Sequence, residues 1–266
     1  MKKSFTINCN RSKDEIESYG RYLLNEGIYQ ACEIFYPDPN NIEQTTRYIN
    51  NISELKSKYP NTEFVFHLPF GKDHNLGNAE QSKTCLSKFI KAIDYAKEFE
   101  VQKMTLHPGA ASSMGTRDIE KEIAINNIRI LAKYARRFNM TIMLENLVSD
   151  LEFMISNKEI IEYLSRLSEE KVQFTLDFGH AAVRNLDIEE LILQVGDRLH
   201  HTHIHDNHHN KDEHLPPLEG NIDFKLPFRL LKKMNYTHLF GLEALYKDYN
   251  DLLKNAEIID EIYKGA

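Results

Sequence analysis

The sequence predicts an α/β protein that folds as a single-domain (β/α)8 barrel, the TIM-barrel fold. Short apolar or β-branched runs alternate with longer amphipathic segments, and such alternation predicts a parallel sheet flanked by helices. The units recur roughly every 30–40 residues, so eight of them fit into the 266 residues of the chain. No proline- or glycine-rich linker interrupts the pattern, so residues 1–266 are expected to form one domain. A doubly wound open sheet is the alternative, because periodicity does not show whether a sheet closes.

Eight runs have the apolar and β-branched composition of buried strands. They are SFTINC (4–9), ACEIFY (31–36), EFVFHL (63–68), KMTLHP (103–108), TIMLEN (141–146), VQFTLD (172–177), LHHTHIH (199–205) and HLFGLE (238–243). Runs of this length are ordinary for strands in globular proteins.

Amphipathic patterns between these runs predict the helices. In 86–96 and 124–138, apolar residues recur at i, i+3, i+4 and i+7, which is the spacing of one helix face. Less regular patterns predict further helices over 12–26, 41–58, 157–168, 185–195, 224–234 and 247–263. A helix therefore follows each predicted strand, as a (β/α)8 barrel requires.

The composition narrows the classes of function. The formal net charge is −7, whereas a generic nucleic-acid-binding surface is basic. Nucleic acid is therefore a disfavoured partner, although a local basic patch stays open. The hydrophobic content of 41% is sufficient for a buried core. Neither a P-loop nor a G-x-G-x-x-G motif occurs, so no nucleotide cofactor is expected.

The sequence is also expected to be that of a cytoplasmic protein. Cys9, Cys32 and Cys85 are odd in number, widely spaced and without a C-x-x-C pair, which is typical of reduced thiols. The N-terminal stretch MKKSFTINCNRSKDE lacks the apolar region of a signal peptide. No run approaches about 18 apolar residues, so no membrane span is expected.

Side chains that can bind metals lie at the carboxyl-terminal ends of six predicted strands. They are His67, His107, Glu145, Asp177, His203 and Glu243. In a parallel barrel these ends converge on one face, where the active sites of this fold are found. Loop residues extend the set with His180, in the segment DFGH, and with Asp212 and His214, in the segment DEH.

Each of these residues alone has an ordinary structural explanation. A histidine at a strand end often only makes a hydrogen bond, a carboxylate there can cap the next helix, and Gly179 would ease a turn after Asp177. Buried together without a cation, however, several carboxylates and imidazoles would be costly. The set therefore predicts bound divalent metal, and its donors suit Zn²⁺, Mn²⁺ or Mg²⁺.

Half of the twelve histidines lie in the segment HTHIHDNHHNKDEH (201–214). If 199–205 is a strand, His201, His203 and His205 share one of its faces. Of these three, His203 belongs to the predicted ligands. Glu33, in the second predicted strand, is expected to be structural.

Seven segments that contain these residues follow one another in a recognisable order. They are FHLPF (66–70), LHPGA (106–110), LENL (144–147), LDFGH (176–180), HIHD (203–206), DEHLPPLEGNID (212–223) and GLE (241–243). They cover nearly the whole chain. In this respect the sequence resembles the xylose isomerase-like TIM-barrel superfamily, which joins sugar-phosphate isomerases and epimerases with endonuclease IV.

The resemblance implies the ligand sets of one to three ions. The set shared across the superfamily would be Glu145, Asp177, His203 and Glu243. The full trinuclear zinc site of endonuclease IV would add an ion on His67, His107 and Glu145, and another on His180, Asp212 and His214. Relatives are often dimers or tetramers, so the resemblance also implies a homo-oligomer.

Sugar chemistry is the first function that the resemblance implies. A small sugar or sugar phosphate would bind one ion through a hydroxyl–carbonyl pair, and the ion would stabilise the enediolate formed by loss of the α-proton. Glu145 and Glu243 would be the catalytic acid/base pair, each acting through an oxygen not bound to metal. His67 and His180 would then contact the substrate. We favour this function, an isomerase or epimerase of carbohydrate metabolism.

Phosphoester hydrolysis is the alternative. All nine ligand-type positions of the endonuclease IV site are present, and a cluster of two or three zinc ions would supply hydroxide near neutral pH. The chain would then be an abasic-site endonuclease or a hydrolase of small phosphoesters. Two features oppose action on DNA: the acidic charge and the two prolines in DEHLPPLEGNIDF, where the nuclease pattern is rich in glycine.

Overall fold

The computed structural model of the chain describes residues 1–37 and 41–266. Its strands are parallel and pair in sequence order, and the eighth strand pairs with the first to close a barrel. The predicted single-domain (β/α)8 barrel is confirmed, and the alternative of an open sheet is wrong. The strands are β1 (Lys2–Ile7), β2 (Ala31–Phe35), β3 (Glu63–His67), β4 (Lys103–Leu106), β5 (Thr141–Glu145), β6 (Gln173–Asp177), β7 (Leu199–Ile204) and β8 (Leu239–Leu242).

Nine α-helices flank the barrel in the part of the chain that the structure describes. They are α1 (Lys13–Tyr19), α2 (Ile42–Lys58), α3 (Ser82–Lys97), α4 (Arg117–Arg136), α5 (Asn157–Arg166), α6 (Phe178–Val183), α7 (Ile188–Val195), α8 (Lys225–Lys233) and α9 (Tyr249–Gly265). The predicted helix 12–26 consists of α1 and a π-helical turn at Gly20–Leu24. The predicted helix 185–195 begins only at Ile188, after the separate short helix α6. Among the described helices, none combines the length and apolar character needed to cross a membrane.

Side-chain caps fix the points at which the chain enters several helices. Ser12 caps α1 in a reciprocal capping box with Glu15. Ser156, Asp187 and Asp248 accept hydrogen bonds from backbone N–H groups in the first turns of α5, α7 and α9. These N–H groups have no partner within their own helix, so the caps stabilise each helix start.

The main apolar core lies between the outer face of the barrel and the helices. Outward-facing strand residues such as Phe66 and Leu106 are completely buried there. The inside of the barrel holds a second, small apolar cluster of Ala31, Val65, Met143 and Leu239. Toward the carboxyl-terminal mouth the interior becomes polar, with Glu33, Thr105 and His201 all buried. Polar side chains that lie inside a barrel need hydrogen-bond partners. The predicted metal ligands lie directly above Glu33, Thr105 and His201.

Candidate metal centre

All nine predicted ligands lie at the carboxyl-terminal mouth of the barrel. Six of them come from the strand ends: His67, Glu145 and Asp177 end β3, β5 and β6, His203 is the last residue but one of β7, and His107 and Glu243 directly follow β4 and β8. The other three come from α6 and from the loop after β7. Their potential ligand atoms form three sets, which are called the first, second and third positions below.

The second position consists of Glu145, Asp177, His203 and Glu243, whose ligand atoms all lie within 4.8 Å of one another. His203 Nδ1 is 2.8 Å from Glu145 Oε1, 3.0 Å from Glu243 Oε2 and 3.7 Å from Asp177 Oδ2. Donors held at about 2.0–2.1 Å from one zinc ion in a tetrahedron are about 3.3 Å apart. The observed spacings match that arrangement, so these residues fit a divalent ion.

The first position consists of His67, His107 and Glu145. Glu145 Oε2 lies 3.5 Å from His67 Nε2 and 3.2 Å from His107 Nε2. This oxygen is buried and has no hydrogen-bond partner among residues 1–37 and 41–266. A buried carboxylate oxygen without a donor is costly, and a cation between the three side chains would remove that cost. Glu145 therefore contributes one oxygen to the first position and the other to the second.

The third position contains His180, Asp212 and His214. Asp212 Oδ2 is 3.3 Å from His180 Nε2 and 3.1 Å from His214 Nε2. The other oxygen, Oδ1, is buried and unpartnered. These donors also fit a divalent ion, although Asp212 and His214 are more than a quarter exposed, which makes this position more open to solvent than the second.

Hydrogen bonds orient the imidazole rings of most predicted ligands. Three rings place Nδ1 against a backbone carbonyl: His67 against Leu68 (2.9 Å), His180 against Asn146 (2.8 Å) and His214 against Glu243 (2.9 Å). Because a carbonyl only accepts hydrogen bonds, Nδ1 donates and the lone pair of Nε2 faces the metal position. A second nitrogen held in this way is characteristic of histidines that bind metals.

His203 is oriented by a side chain instead. Its Nε2 donates to Glu33 Oε2 at 2.9 Å, which leaves Nδ1 for the second position. Glu33 is itself buried and also accepts hydrogen bonds from Thr105 Oγ1 (2.8 Å) and His201 Nε2 (3.0 Å). Glu33 is thus a structural residue, as expected, and it orients a predicted ligand as well.

His201 and His205 also lie within possible ligand groups, His201 with Glu33 and His203, and His205 with His180, Asp212 and His214, but hydrogen bonds engage one nitrogen of each ring. In both rings Nδ1 is buried without a hydrogen-bond partner, while Nε2 faces a carboxylate: Glu33 for His201 (3.0 Å) and Asp177 for His205 (3.1 Å). The proton therefore lies on Nε2, and that nitrogen donates. His201, His203 and His205 thus contact Glu33, the second position and Asp177 in turn. The spacing of two residues between these histidines is the sequence signal of this arrangement.

The loop after β7 is held by Asp206, which is completely buried. Its carboxylate accepts hydrogen bonds from the backbone N–H groups of Leu218 and Ile222, each at 3.0 Å. These bonds fold the loop back over the mouth of the barrel. Asp212 and His214 are thereby brought beside His180.

Charge in the centre is balanced between carboxylates and histidines. Burial raises the pKa of Glu145 and of Asp177, but His203 beside the first and His180 beside the second outweigh it and hold both pKa values well below their usual range. Burial lowers the pKa of His203, yet Glu243 and its neighbouring carboxylates raise it well above the usual value. The carboxylates and imidazoles of the centre therefore stabilise each other's charged forms.

A cavity of about 740 Å³ opens onto the centre. Its lining includes Glu243, His214, Phe35, Phe70, Lys72 and Lys88. Phe35 stacks on His67 and Phe70 on His107, with ring centroids 4.7 Å and 5.1 Å apart. Glu145, which is 1% exposed, does not line the cavity. A small molecule would therefore reach the centre from the side of Glu243.

Comparisons with known proteins agree with this architecture. The family described as xylose isomerase-like TIM barrel matches residues 23–262. Two uncharacterized proteins of Methanocaldococcus jannaschii are 28% identical over 239 residues (87% of this chain, 78% of the relative) and 32% identical over 205 residues (75% and 77%). The solved structure of a D-tagatose 3-epimerase-like protein has a TM-score of 0.83 at 24% identity, with 99% of this chain and 97% of that chain covered. A D-allulose 3-epimerase from Methylomonas sp., solved with D-allulose, has a TM-score of 0.76 at 19% identity, with 98% of each chain covered.

Proposed function

This chain belongs to the xylose isomerase-like TIM barrel family, and on that premise we propose that it is a divalent-metal-dependent epimerase or isomerase of a small sugar or sugar phosphate. Two proteins of the same fold are named as ketose 3-epimerases or as similar to one. The observation that carries the proposal is the position of two carboxylates, Glu145 and Glu243. Their oxygens lie 2.8 Å and 3.0 Å from the same atom, Nδ1 of His203.

The second position would hold the ion that this reaction needs, on Glu145, Asp177, His203 and Glu243. A divalent ion there would polarise a sugar carbonyl and offset the negative charge that develops when the neighbouring carbon loses its proton. The transfer of that proton is the task of the side chains.

Glu243 is the carboxylate on the open side of the centre. It lines the cavity, and its side chain is 12% exposed. A sugar bound in the cavity would present the hydrogen of the reacting carbon to this carboxylate, within the reach that general base catalysis requires. Glu243 would take the proton on one face of the sugar or return it there.

Glu145 would act on the opposite face, because epimerisation requires the proton to leave from one side of the carbon and return to the other. For this the reacting carbon must extend from the cavity into the centre, because Glu145 does not line the cavity. Its Oε2 is the oxygen available for this step, since it lacks a hydrogen-bond donor. The same oxygen belongs to the first position, with His67 and His107. Proton transfer by Glu145 therefore requires the first position to be free of metal.

Hydrolysis of a phosphoester is the second candidate, and one observation favours it. The first and third positions have complete donor sets, which a reaction with one ion does not need. With all positions filled, both oxygens of Glu145 would be ligands and the centre would suit activation of water next to a phosphoryl group. The number of ions bound thus separates the two candidates.

Metal analysis together with two activity assays would test the proposal. The chain, purified without chelators, is expected to bind one ion tightly and to exchange the α-proton of a ketose or ketose phosphate in D₂O, as followed by NMR. A duplex with an abasic site and a chromogenic phosphodiester serve as the opposing substrates. Two or three tightly bound zinc ions, rapid phosphoester cleavage and no sugar exchange would overturn the epimerase proposal.

A further inference from the structure

His205 lies between two of the proposed metal positions, and one of its ring nitrogens is within 4.8 Å of the ligand atoms of His180, Asp212 and His214. It directly follows β7 and is completely buried. Its Nε2 is 3.1 Å from both carboxylate oxygens of Asp177, a ligand of the second position. The same atom is 3.8 Å from Oδ1 of Asp212, a ligand of the third position.

The hydrogen bonds of the ring decide which nitrogen carries the proton. Nδ1 of His205 is buried without a partner, whereas Nε2 faces a carboxylate that only accepts. The tautomer with the proton on Nε2 therefore makes the one available hydrogen bond, and Nε2 then has no lone pair for a metal ion.

The contact with His214 also argues against ligation. The two rings are stacked, with centroids 3.9 Å apart and an angle of 17° between their planes. Imidazoles that bind one zinc ion radiate from it, so their centroids are about 5 Å apart or more. His180 and His214 meet that condition at 6.3 Å, and His205 with His214 does not.

A glycine makes room for the ring of His205. A Cβ atom on Gly179 would lie 1.9 Å from His205 Cε1, so any larger residue would displace the imidazole. Gly179 is part of α6, and it is not among the glycines with a positive φ angle. The structure therefore gives a steric rather than a conformational reason for glycine at this position.

From these contacts we infer that His205 is a positioning residue for Asp177. The Nε2–H group holds the Asp177 carboxylate in the orientation that the second position requires, while stacking on His214 ties the same ring to the third position. Among the described residues, Asp177 Oδ1 also accepts a hydrogen bond from the backbone N–H of His180, at 2.6 Å. Without His205 the carboxylate would lose its second support. This inference rests on the metal centre of the proposed function.

Three variants test this role through metal binding rather than activity. His205→Phe keeps a stacking ring and removes the N–H donor, His205→Gln restores a donor near Nε2, and Gly179→Ala displaces the ring without changing a ligand. His208→Phe, an exposed histidine of the same segment, is the control. Zn²⁺ affinity is measured by chelator competition, the number of ions by elemental analysis, and the ligand geometry by the visible spectrum of the Co²⁺-loaded protein.

His205→Phe and Gly179→Ala are expected to weaken the tightest Zn²⁺ site by roughly 10- to 100-fold, the usual effect of losing a residue that orients a ligand. The number of ions at saturation should not change, and His205→Gln should recover most of the affinity. Loss of one ion with unchanged affinity at the tightest site would instead make His205 a ligand of the third position. Unchanged affinity in folded His205→Phe and Gly179→Ala would also overturn the role. Absence of Zn²⁺ binding by the unmodified chain would overturn the metal centre, and the proposed function with it.

Discussion

Glu33 accepts a hydrogen bond of 2.9 Å from Nε2 of His203, and this contact determines which nitrogen of His203 faces the metal centre. Glu33 lies inside the barrel, 1% exposed, with Thr105 and His201 as its other donors. Because its carboxylate only accepts, Nε2 carries the proton and Nδ1 is left for the second position. A carboxylate below a ligand histidine also makes that ligand more basic.

Replacing Glu33 should therefore weaken metal binding without removing a ligand. Glu33→Met fills similar space but accepts no hydrogen bond, and we expect roughly 10- to 100-fold weaker Zn²⁺ binding. Glu33→Gln should lose less, because its amide oxygen can still accept from His203 while its NH₂ group donates to Thr105. Chelator competition measures both effects. Glu170→Gln, which changes another buried carboxylate that pairs with Arg129, is the control, and equal losses in all three variants would contradict the prediction.

Glu145→Gln should abolish turnover while the fold persists. The amide keeps the size of the side chain but cannot take up a proton, so the rate of ketose α-proton exchange should fall by roughly 10²–10⁴-fold. Exchange is followed by NMR in D₂O, and folding by the thermal unfolding midpoint. Near-normal exchange in Glu145→Gln would contradict the proposed acid/base role of Glu145, and near-normal phosphodiester cleavage by this variant would contradict the second candidate.

Addition of metal to the metal-free protein should first raise and then lower the exchange activity. The first equivalent would fill the second position, while a further ion between His67, His107 and Glu145 would engage Glu145 Oε2 and stop proton transfer. His107→Phe removes one donor of the first position, so this variant should lose the inhibition at high metal concentration and keep the activation. Activity that keeps rising beyond one equivalent would count against the role of Glu145 as an acid/base.

The stacked pair of His200 and His238 predicts a pH dependence outside the metal centre. Their ring centroids are 4.1 Å apart, and burial followed by the proximity of His238 lowers the pKa of His200 to about 4. In the unfolded chain the pKa is about 6.5, so between these values the unfolded state binds more protons. The free energy of unfolding should therefore fall as pH decreases from about 6.5 to about 4.

A variant isolates this effect from that of the carboxylates, which also lose charge in acid. His200→Phe keeps an aromatic ring on His238 but has no proton to bind. Urea unfolding of both proteins across the range should show the original chain losing more stability than His200→Phe as pH decreases. Parallel losses in the two proteins would show that His200 does not titrate in this way.

The fold and the convergence of the predicted ligands could be predicted because they depend on local patterns. Alternation of strands and helices indicated the barrel, and the strand ends indicated candidate ligands such as His67, Glu145 and Asp177, which lie together at one mouth of the barrel. The strand limits shifted by one or two residues, so that His107 and Glu243 lie just beyond β4 and β8. Such shifts leave the side chains at the same mouth of the barrel, so the site prediction tolerates them.

The residues that orient the ligands could not be predicted in the same way. Glu33 and His203 are 170 positions apart, and their contact exists only because the barrel is closed and filled from all sides. The close approach of Gly179 to His205 could likewise not be predicted, since it depends on how α6 packs against β7. Local sequence patterns carry little information about such contacts across the barrel.

The alternating histidines of β7 also limit how this protein can change in evolution. His201, His203 and the following His205 point to the same side, so insertion or deletion of a single residue among them would turn the histidines on one side of the change outward and away from their partners. The loop that follows contains Asp212 and His214 and is held by hydrogen bonds from its backbone N–H groups to the Asp206 carboxylate. The exposed part of this loop is under no such constraint. Natural variants of this chain should therefore differ in length around 208–211, whereas the length of β7 should stay fixed.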